Sequence, residues 1–543
     1  MEIEPTPARL WPAAAAVLFV ALVWQVVTFN GFPNDHYFHV ARARQMLLGA
    51  WPIRDFVDPG ASLQYVVSAV SRWWFGDITA AELLVVALGF AVGAAATVVA
   101  ASWLARSTIV GVVVALLEIL ASPRSYSYPK LLLYGLAGCA IGAVTAHATR
   151  ARLLLIAGLT AAAFLMRHDH GLFIGAASAT AIVLSAPRLT ESVKPLSLYA
   201  AGIAVLLAPW ALWVQYYQGL VSYFRMGIGV SQREADITLL RHLPRLQLFD
   251  GLTTANANAW LFYLFWSLPL VCVALAAYRR LTQRERWAGE SAAVAGIALM
   301  ALAIDATFLR NPLEIRLADA TVPAALLGAW LAGLVLTMPL RTAIGVSART
   351  AAAVVLIGTT VAIWRLGDVN GKLDEVGLFD DWNHVREHTR TLLAVIKRPD
   401  MEVRKFPSRV SAGLVPFFHY LARCTLPTDR LLVSGPYPDV FVLARRGFAG
   451  GQVAFVQSLY ASDADQALTL SRMRHESVPF VLLVQDEQAA FAGNFPRILA
   501  YIDEAYQPMT DVPIAGMQGV HVLVERQRRP TGVDFNTGWP CYR

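Results

Sequence analysis

Apolar runs long enough to cross a bilayer recur along this chain, and they constrain its fold more than any other feature. Residues 11–29, 80–104, 195–217 and 260–278 are each long and apolar enough to cover a hydrocarbon core of about 30 Å as a helix. The composition agrees. Hydrophobic residues make up 56% and charged residues 15%, where a soluble domain carries about 25% charged. An ordinary soluble enzyme is thereby excluded. Spans are expected near 11–29, 80–104, 107–121, 131–148, 153–166, 171–186, 195–217, 260–278, 288–304, 321–339 and 350–364, about eleven in all. The first is read as a retained span and not a cleavable signal: Arg9 is the one basic residue before it, and no small-residue cleavage site follows. The net charge of +7 reads as cytoplasmic Arg, not as a nucleic-acid footprint.

The composition shifts near Trp364. Residues 1–364 read as the membrane domain and 365–543 as an α/β domain. In the latter, 380–396 and 411–424 have helical patterning, while 430–435, 478–485 and 519–526 read as buried strands. The stretch "SGPYPDVFVLARRG" is a strand-to-helix turn without the Gly-x-Gly spacing of a phosphate loop. Cys139 and Cys272 lie in apolar runs. Cys424 and Cys541 lie in the polar third, where they can pair if that part faces an oxidising compartment.

One segment, "ASLQYVVSAVSRWWFG" (61–76), decides the topology. Gln64, Ser68, Ser71 and Arg72 fall on one stripe of an otherwise apolar helix, the pattern of an interfacial helix. A second surface helix is expected over 36–50. With 61–76 left out of the count, the short basic loops at 149–152, 187–194, 278–286 and 341–350 share the side of the N-terminus, as cytoplasmic loops do. Asp35, Asp55, Asp58, Asp77, Asp169, Asp236, Asp250, Asp305 and Asp319 then all gather on the opposite side, together with the α/β domain. The expected location is the plasma (inner) membrane, multi-pass, with a cytoplasmic N-terminus and an extracytoplasmic C-terminal domain.

Four stretches carry candidate chemistry. In "NDHYFHVARARQMLLGAWPIRDFVDPG" (34–60), Asp35, His39 and Arg42 share one helix face. A carboxylate there can take a proton from an acceptor hydroxyl, or Asn34 or Asp35 caps the helix. Asp58 either caps the next helix or belongs to the site. In "SPRSYSYPKLLLY" (122–134), Arg124 and Lys130 flank tyrosines and serines at a span end, where interface anchoring by Tyr and a snorkelling Lys is the plain reading. "MRHDHG" (166–171) sets Arg167, His168, Asp169 and His170 in a very short connection. A metal site, a phosphate clamp and an acid–base relay all fit it. The two His are only two apart, so a divalent metal is not favoured. In "IDATFLRNPLEIRLADA" (304–320), Arg310 and Arg316 can hold a phosphate, or they form local ion pairs in a solvated loop.

Together these features resemble the GT-C membrane glycosyltransferases, in particular the bacterial relatives of protein O-mannosyltransferases and lipid A aminoarabinose transferases. Asp35, Gly49, Pro52, Asp55, Phe56, Pro59 and Gly60 carry the resemblance at motif level. The outline of spans and outer domain carries it at the level of architecture. It implies a polytopic α-helical membrane protein whose donor is a polyprenyl-phosphate-linked sugar. The sugar moves to an extracytoplasmic glycan, lipid or protein acceptor, with inversion. Asp35 inherits the role of catalytic base. His36, His39, Arg42 and Asp58 would stand around it, and Arg124, Lys130, Arg167, Arg310 and Arg316 would hold the donor phosphate, with His168, Asp169 and His170 beside them. Two departures stand out. Relatives often have two adjacent acids, whereas His36 follows Asp35 here. Relatives often have a basic residue before the turn, and here it is Asp58. The rival readings are a lipid or polysaccharide transporter or flippase, and an inactive membrane-anchored assembly protein of envelope glycan synthesis. Transporters tend to place polar groups at the bilayer midplane in inverted repeats. No repeat is visible in this sequence.

Overall fold

The computed structural model of the chain describes residues 7–121, 124–238, 243–247, 251, 253–282, 288–309, 313–339, 341–378, 381–397, 409–457, 459–509 and 519–543. Helices α1 (Pro7–Val27), α2 (Asn34–Leu47), α3 (Ser62–Phe75), α4 (Thr79–Ala105), α5 (Thr108–Leu120), α6 (Tyr128–Ala146), α7 (Arg150–Met166) and α8 (His168–Ser185) come first. They are followed by α9 (Leu189–Tyr217), α10 (Leu220–Thr238), α11 (Thr254–Thr282), α12 (Ala288–Asp305), α13 (Leu313–Thr337), α14 (Ala343–Leu366), α15 (Val369–Val376) and α16 (Trp382–Ile396). Each expected span coincides with one of these helices. Among the described residues, eight helices are long and apolar enough to cross a membrane. The other three expected spans, α5, α7 and α8, are shorter at 13, 17 and 18 residues. The chain is a multi-pass α-helical membrane protein with a C-terminal α/β region.

Packing divides it into two compact units. The first comprises residues 1–29, 86–212 and 235–389; the second comprises 30–85, 213–234 and 390–543. Small residues bring the helices of the first unit together. Ala14, Val17 and Ala21 of α1 pack with Ala91, Ala94 and Val98 of α4 and with Ala115 and Ile119 of α5. Inside a bilayer, helices gain little from hydrophobic segregation, so association depends on such close approach. Two glycines mark where backbones meet. A Cβ on Gly93 would lie 2.7 Å from the Leu131 carbonyl carbon, and one on Gly296 would lie 2.6 Å from the Ala177 oxygen.

The second unit is built on a five-stranded sheet of β1 (Arg430–Val433), β2 (Gly447–Phe448), β3 (Phe480–Val484), β4 (Tyr506–Pro508) and β5 (Val520–Glu525), in the order β2-β1-β3-β5-β4. β1 pairs in parallel with β2 and β3, while β5 runs antiparallel to β3 and β4. All five β3 residues are buried, which is why that run is apolar without alternation. Around the sheet lie α17 (Arg409–Gly413), α18 (Val415–Cys424), α19 (Pro438–Leu443), α20 (Asp463–Met473), α21 (Gln488–Asn494) and α22 (Pro496–Ala505). A terminal hairpin, β6 (Gly532–Val533) with β7 (Pro540–Cys541), is joined to α18 by a disulfide between Cys424 and Cys541, with Cα atoms 4.5 Å apart.

The compact units do not follow the division of the sequence at residue 364. Residues 30–85 pack with the α/β region through hydrogen bonds that each use a backbone group of one or both partners. Gln45 donates from Nε2 to Phe448 O and accepts from Phe448 N, both at 3.1 Å. Val57 N donates to Gly451 O at 3.0 Å, and Arg472 donates to Arg54 O at 3.1 Å. None of these partners shares a sequence pattern that would announce the contact.

The surface-helix expectation for 36–50 and 61–76 is corrected in one respect. α2 and α3 occupy those positions, but their polar stripes face inward. Gln64, Ser68, Ser71 and Arg72 are buried, while Val70, Trp73, Trp74 and Phe75 are exposed. The reason is acidic: Ser68 and Arg72 reach Glu82 and Asp77, and Ser71 donates to Ala81 O. The tryptophans are then left exposed on the opposite face.

Candidate active site

Asp35 lies in the first turn of α2 and is exposed. The helix cap is Pro33, with no side-chain cap bond, and Asn34 instead donates to Pro436 O at 2.9 Å. The capping alternative for Asn34 and Asp35 therefore does not hold. Among the described residues, no hydrogen bond or ion pair engages the Asp35 carboxylate. Its neighbour is the opposite case. His36 is fully buried, stacks on Phe32 at 4.4 Å, and binds Glu82 through Nε2 at 2.9 Å. Ser68 donates to the same Glu82 oxygen at 3.0 Å. His36 thus anchors α2 on its inner face.

At the other end of α2, Arg44, Arg72 and Arg445 converge on Asp77. Burial alone would raise the Asp77 carboxyl. The Arg44 and Arg72 guanidiniums outweigh burial and hold it below the usual carboxylate range. A short helix in a long loop is marginal by itself; α2 is fixed here by charged contacts at both ends. His39 stacks on Tyr65 with centroids 5.9 Å apart. Arg42 is buried between the rings of Phe38 and Tyr65.

Asp58 organises the turn into α3. Its Oδ1 accepts from Gly60 N at 2.9 Å, Ala61 N at 3.0 Å and the Tyr65 hydroxyl at 3.2 Å, while Ser62 donates to Oδ2. Asp58 thus fixes the turn before α3 without capping the helix, whose N-cap is Ala61 with no side-chain cap bond. Asp55 likewise closes its own loop, accepting from Trp51 N at 2.7 Å and pairing with Arg54.

The first unit holds a separate cluster. Lys130 of α6 pairs with Asp319 of α13 at 2.5 Å, and Arg316, one turn back on α13, reaches the other Asp319 oxygen at 3.4 Å. Arg167, between α7 and α8, pairs with Asp169 at 2.9 Å. His170 meets the Tyr134 hydroxyl through Nδ1 at 2.9 Å. Arg167 and Arg316 both lie within electrostatic reach of Lys130. Stretches near residues 130, 167 and 316 are thereby brought to one place. Among the described residues, three cations, Lys130, Arg167 and Arg316, face two carboxylates, Asp169 and Asp319. Arg124 is exposed and donates to the Tyr126 hydroxyl at 3.4 Å, and Lys130 Nζ lies 5.9 Å from the Tyr126 ring.

His168 is stacked between Phe164 at 4.1 Å and Trp210 at 5.2 Å, with Nδ1 against Phe164 O, so it braces the start of α8. Arg310 lies outside the described residues. Among those described, no three His, Cys, Asp or Glu side chains converge as metal ligands. The residues missed from sequence are Asp319 and Tyr134 in this cluster, and Glu82 and Asp77 around α2. Glu82 did carry a signal, as the sole acid of a 27-residue apolar helix.

No family model matches the chain, and no curated protein does. Among solved structures it is similar to ArnT from Cupriavidus metallidurans, in the crystal structure bound to undecaprenyl phosphate and in the apo crystal structure. Sequence identity is 14% in both comparisons, over 94% of this chain and 97% of that one, with TM-scores of 0.49 and 0.47. These values describe a likeness along the whole length and assign no activity.

Proposed function

We propose that this chain is an integral membrane glycosyltransferase of GT-C type. It moves a sugar from a polyprenyl-phosphate-linked donor to an extracytoplasmic acceptor, with inversion and with Asp35 as general base. The observation that carries the reading is the cationic cluster of Lys130, Arg167 and Arg316. Its positive side chains suit a phosphate, and the Arg forks suit phosphate oxygens in particular. Asp35 adds a carboxylate that no described residue occupies, which a base needs. The motif residues from Asp35 to Gly60 supply the family resemblance. His36, through Glu82, is a positioning residue in this account.

The test is donor binding. Purified full-length protein in nanodiscs is titrated with a short-chain polyprenyl phosphate. Arg316→Gln and Arg167→Gln should each weaken binding by about 10-fold or more, since a hydrogen bond to a charged group is worth about 1.5–3 kcal/mol. Wild-type affinity in both variants, with unchanged folding, would remove the phosphate role from the cluster. A radiolabelled polyprenyl-phosphate sugar then separates transfer from transport. An enzyme consumes the label onto an acceptor, whereas a flippase only relocates it.

The reading includes sidedness. The basic short loops belong in the cytoplasm, and the Cys424–Cys541 disulfide is at home in an oxidising compartment. Reporter fusions at Arg280 and at Gly435 should therefore report opposite sides of the membrane, with Gly435 outside. A cytoplasmic Gly435 fusion would overturn the orientation.

A further inference from the structure

Arg42 is 6% exposed, yet among the described residues no carboxylate lies within ion-pair distance of it. Nη1 donates to Phe38 O at 3.2 Å, and Nε has no acceptor. The guanidinium lies 5.9 Å from the Phe38 ring centroid and 5.4 Å from that of Tyr65. Ring faces stabilise the charge but accept few of its five N–H groups. Asp58 is close enough to act on the same tyrosines, but four donors already occupy it. Among the described residues, this buried guanidinium therefore has no carboxylate to pair with, a costly state for a buried charge.

Its surroundings are drawn from distant stretches of the second unit. Tyr65 comes from α3, Tyr223 from α10 and Tyr460 from the loop before α20. Tyr223 lies within electrostatic reach of Asp58, Tyr65 and Tyr460. Tyr460 lies within reach of Arg42, Asp58, Asp465 and the exposed Arg233. Tyr460 also has φ +50°, a left-handed backbone that a side chain of this size adopts only when its surroundings hold it there. Tyr65 and Tyr460 therefore stand near one under-satisfied guanidinium, and Tyr223 stands near both phenols.

We propose that the buried Arg42 forms a subsite for an oxyanion, a carboxylate or a phosphate, carried by the acceptor. The Arg42 fork binds it, and the Tyr460 hydroxyl supplies a further donor. The assignment to the acceptor rests on the function proposed above. Arg42 follows Asp35 by seven residues, so both lie on one side of α2 about 10 Å apart along its axis. An acceptor held by its anion at Arg42 would thus reach Asp35 with a hydroxyl one sugar ring or so away. A donor phosphate has its own site in the first unit.

The experiment is a calorimetric titration of the full-length protein in nanodiscs with glucuronate, with inorganic phosphate and with glucose. Glucuronate or phosphate should bind, and glucose should not. Binding of glucuronate alone assigns a carboxylated acceptor, and binding of phosphate lost in Arg42→Gln assigns a phosphorylated one. Arg42→Gln should lose about 10-fold to 100-fold in affinity for the bound anion, and Arg42→Lys should recover part of it. Arg316→Gln should leave the Arg42-dependent binding unchanged. Asp35→Asn should bind the anion normally, so a failure of the catalytic reading leaves this readout intact. Equal affinity of Arg42→Gln and wild type for both anions, or binding of neither anion by wild type, overturns the subsite. If Arg42→Gln does not fold, Tyr460→Phe decides: wild-type affinity there also overturns it.

Discussion

Asp35→Asn is expected to lower sugar transfer by about 10²–10⁴-fold, the contribution of a positioned general base, while leaving insertion, folding and donor binding as in the wild type. An attacking hydroxyl must lose its proton as the new bond forms. The Asn side chain keeps the shape of the carboxylate but offers no basic oxygen. The structure gives a reason to expect a clean result. Asp35 is exposed and holds nothing together, since the α2 cap is Pro33 and the helix is anchored by His36–Glu82 and by Asp77. Stability should therefore change little, within about 0.5 kcal/mol as for other exposed positions. The measurement is single-turnover transfer from a radiolabelled polyprenyl-phosphate sugar, with thermal unfolding as the control. Glu82→Gln serves as the contrast. It should lower transfer through a displaced α2 and also lower stability, because it weakens buried contacts to His36 and Arg72. Wild-type turnover by Asp35→Asn would move the base elsewhere. Asp58 is then a poor successor, being buried and occupied by four donors, and Asp169 becomes the next residue to test.

Much of the architecture was legible because bilayer physics leaves few choices. A run of about twenty apolar residues has to be a helix, and each expected span is one. The strands near 431, 481 and 523 were legible for a similar reason, as short apolar runs bounded by turns. The convergence of residues 130, 167 and 316 was half legible. Ionisable side chains at span ends were visible, but their pairing with Asp319 and Tyr134 depends on which helices are neighbours. Helix adjacency leaves no mark on periodicity. The inward face of α3 was misjudged for a related reason. A polar stripe looks the same whether it faces water or buried acids, and here Asp77 and Glu82 decide. The companionship of residues 30–85 with the α/β region was not legible at all. It rests on backbone groups at Phe448 and Gly451, and every residue type carries those.

Cys424→Ser and Cys541→Ser are each expected to destabilise the second unit by about 2–5 kcal/mol. The bridge spans 117 residues of sequence, and a cross-link over so long a loop removes much entropy from the unfolded chain; for about 100 residues the chain-entropy value is about 4.7 kcal/mol. The native contacts around it should persist without it. Arg423 holds Asp534 through two hydrogen bonds at 2.7 and 2.9 Å, Tyr542 N donates to Cys424 O at 2.9 Å, and the Tyr420 hydroxyl donates to Pro540 O. The loss therefore falls mainly on the unfolded side, and the two single variants and the double variant should be destabilised alike, since all three remove the same bond. Thermal unfolding of the full-length protein, with and without reductant, measures this. Reductant should bring the wild type down to the level of the variants and leave the variants where they are. Alkylation mass spectrometry on protein taken directly from membranes supplies the second reading, with Cys424 and Cys541 blocked and Cys139 and Cys272 free. If both Cys424 and Cys541 alkylate in the folded protein before any reduction, the bond is absent in the cell. The α/β region would then lose its strongest sign of facing an oxidising compartment, and the orientation would rest on the basic loops alone.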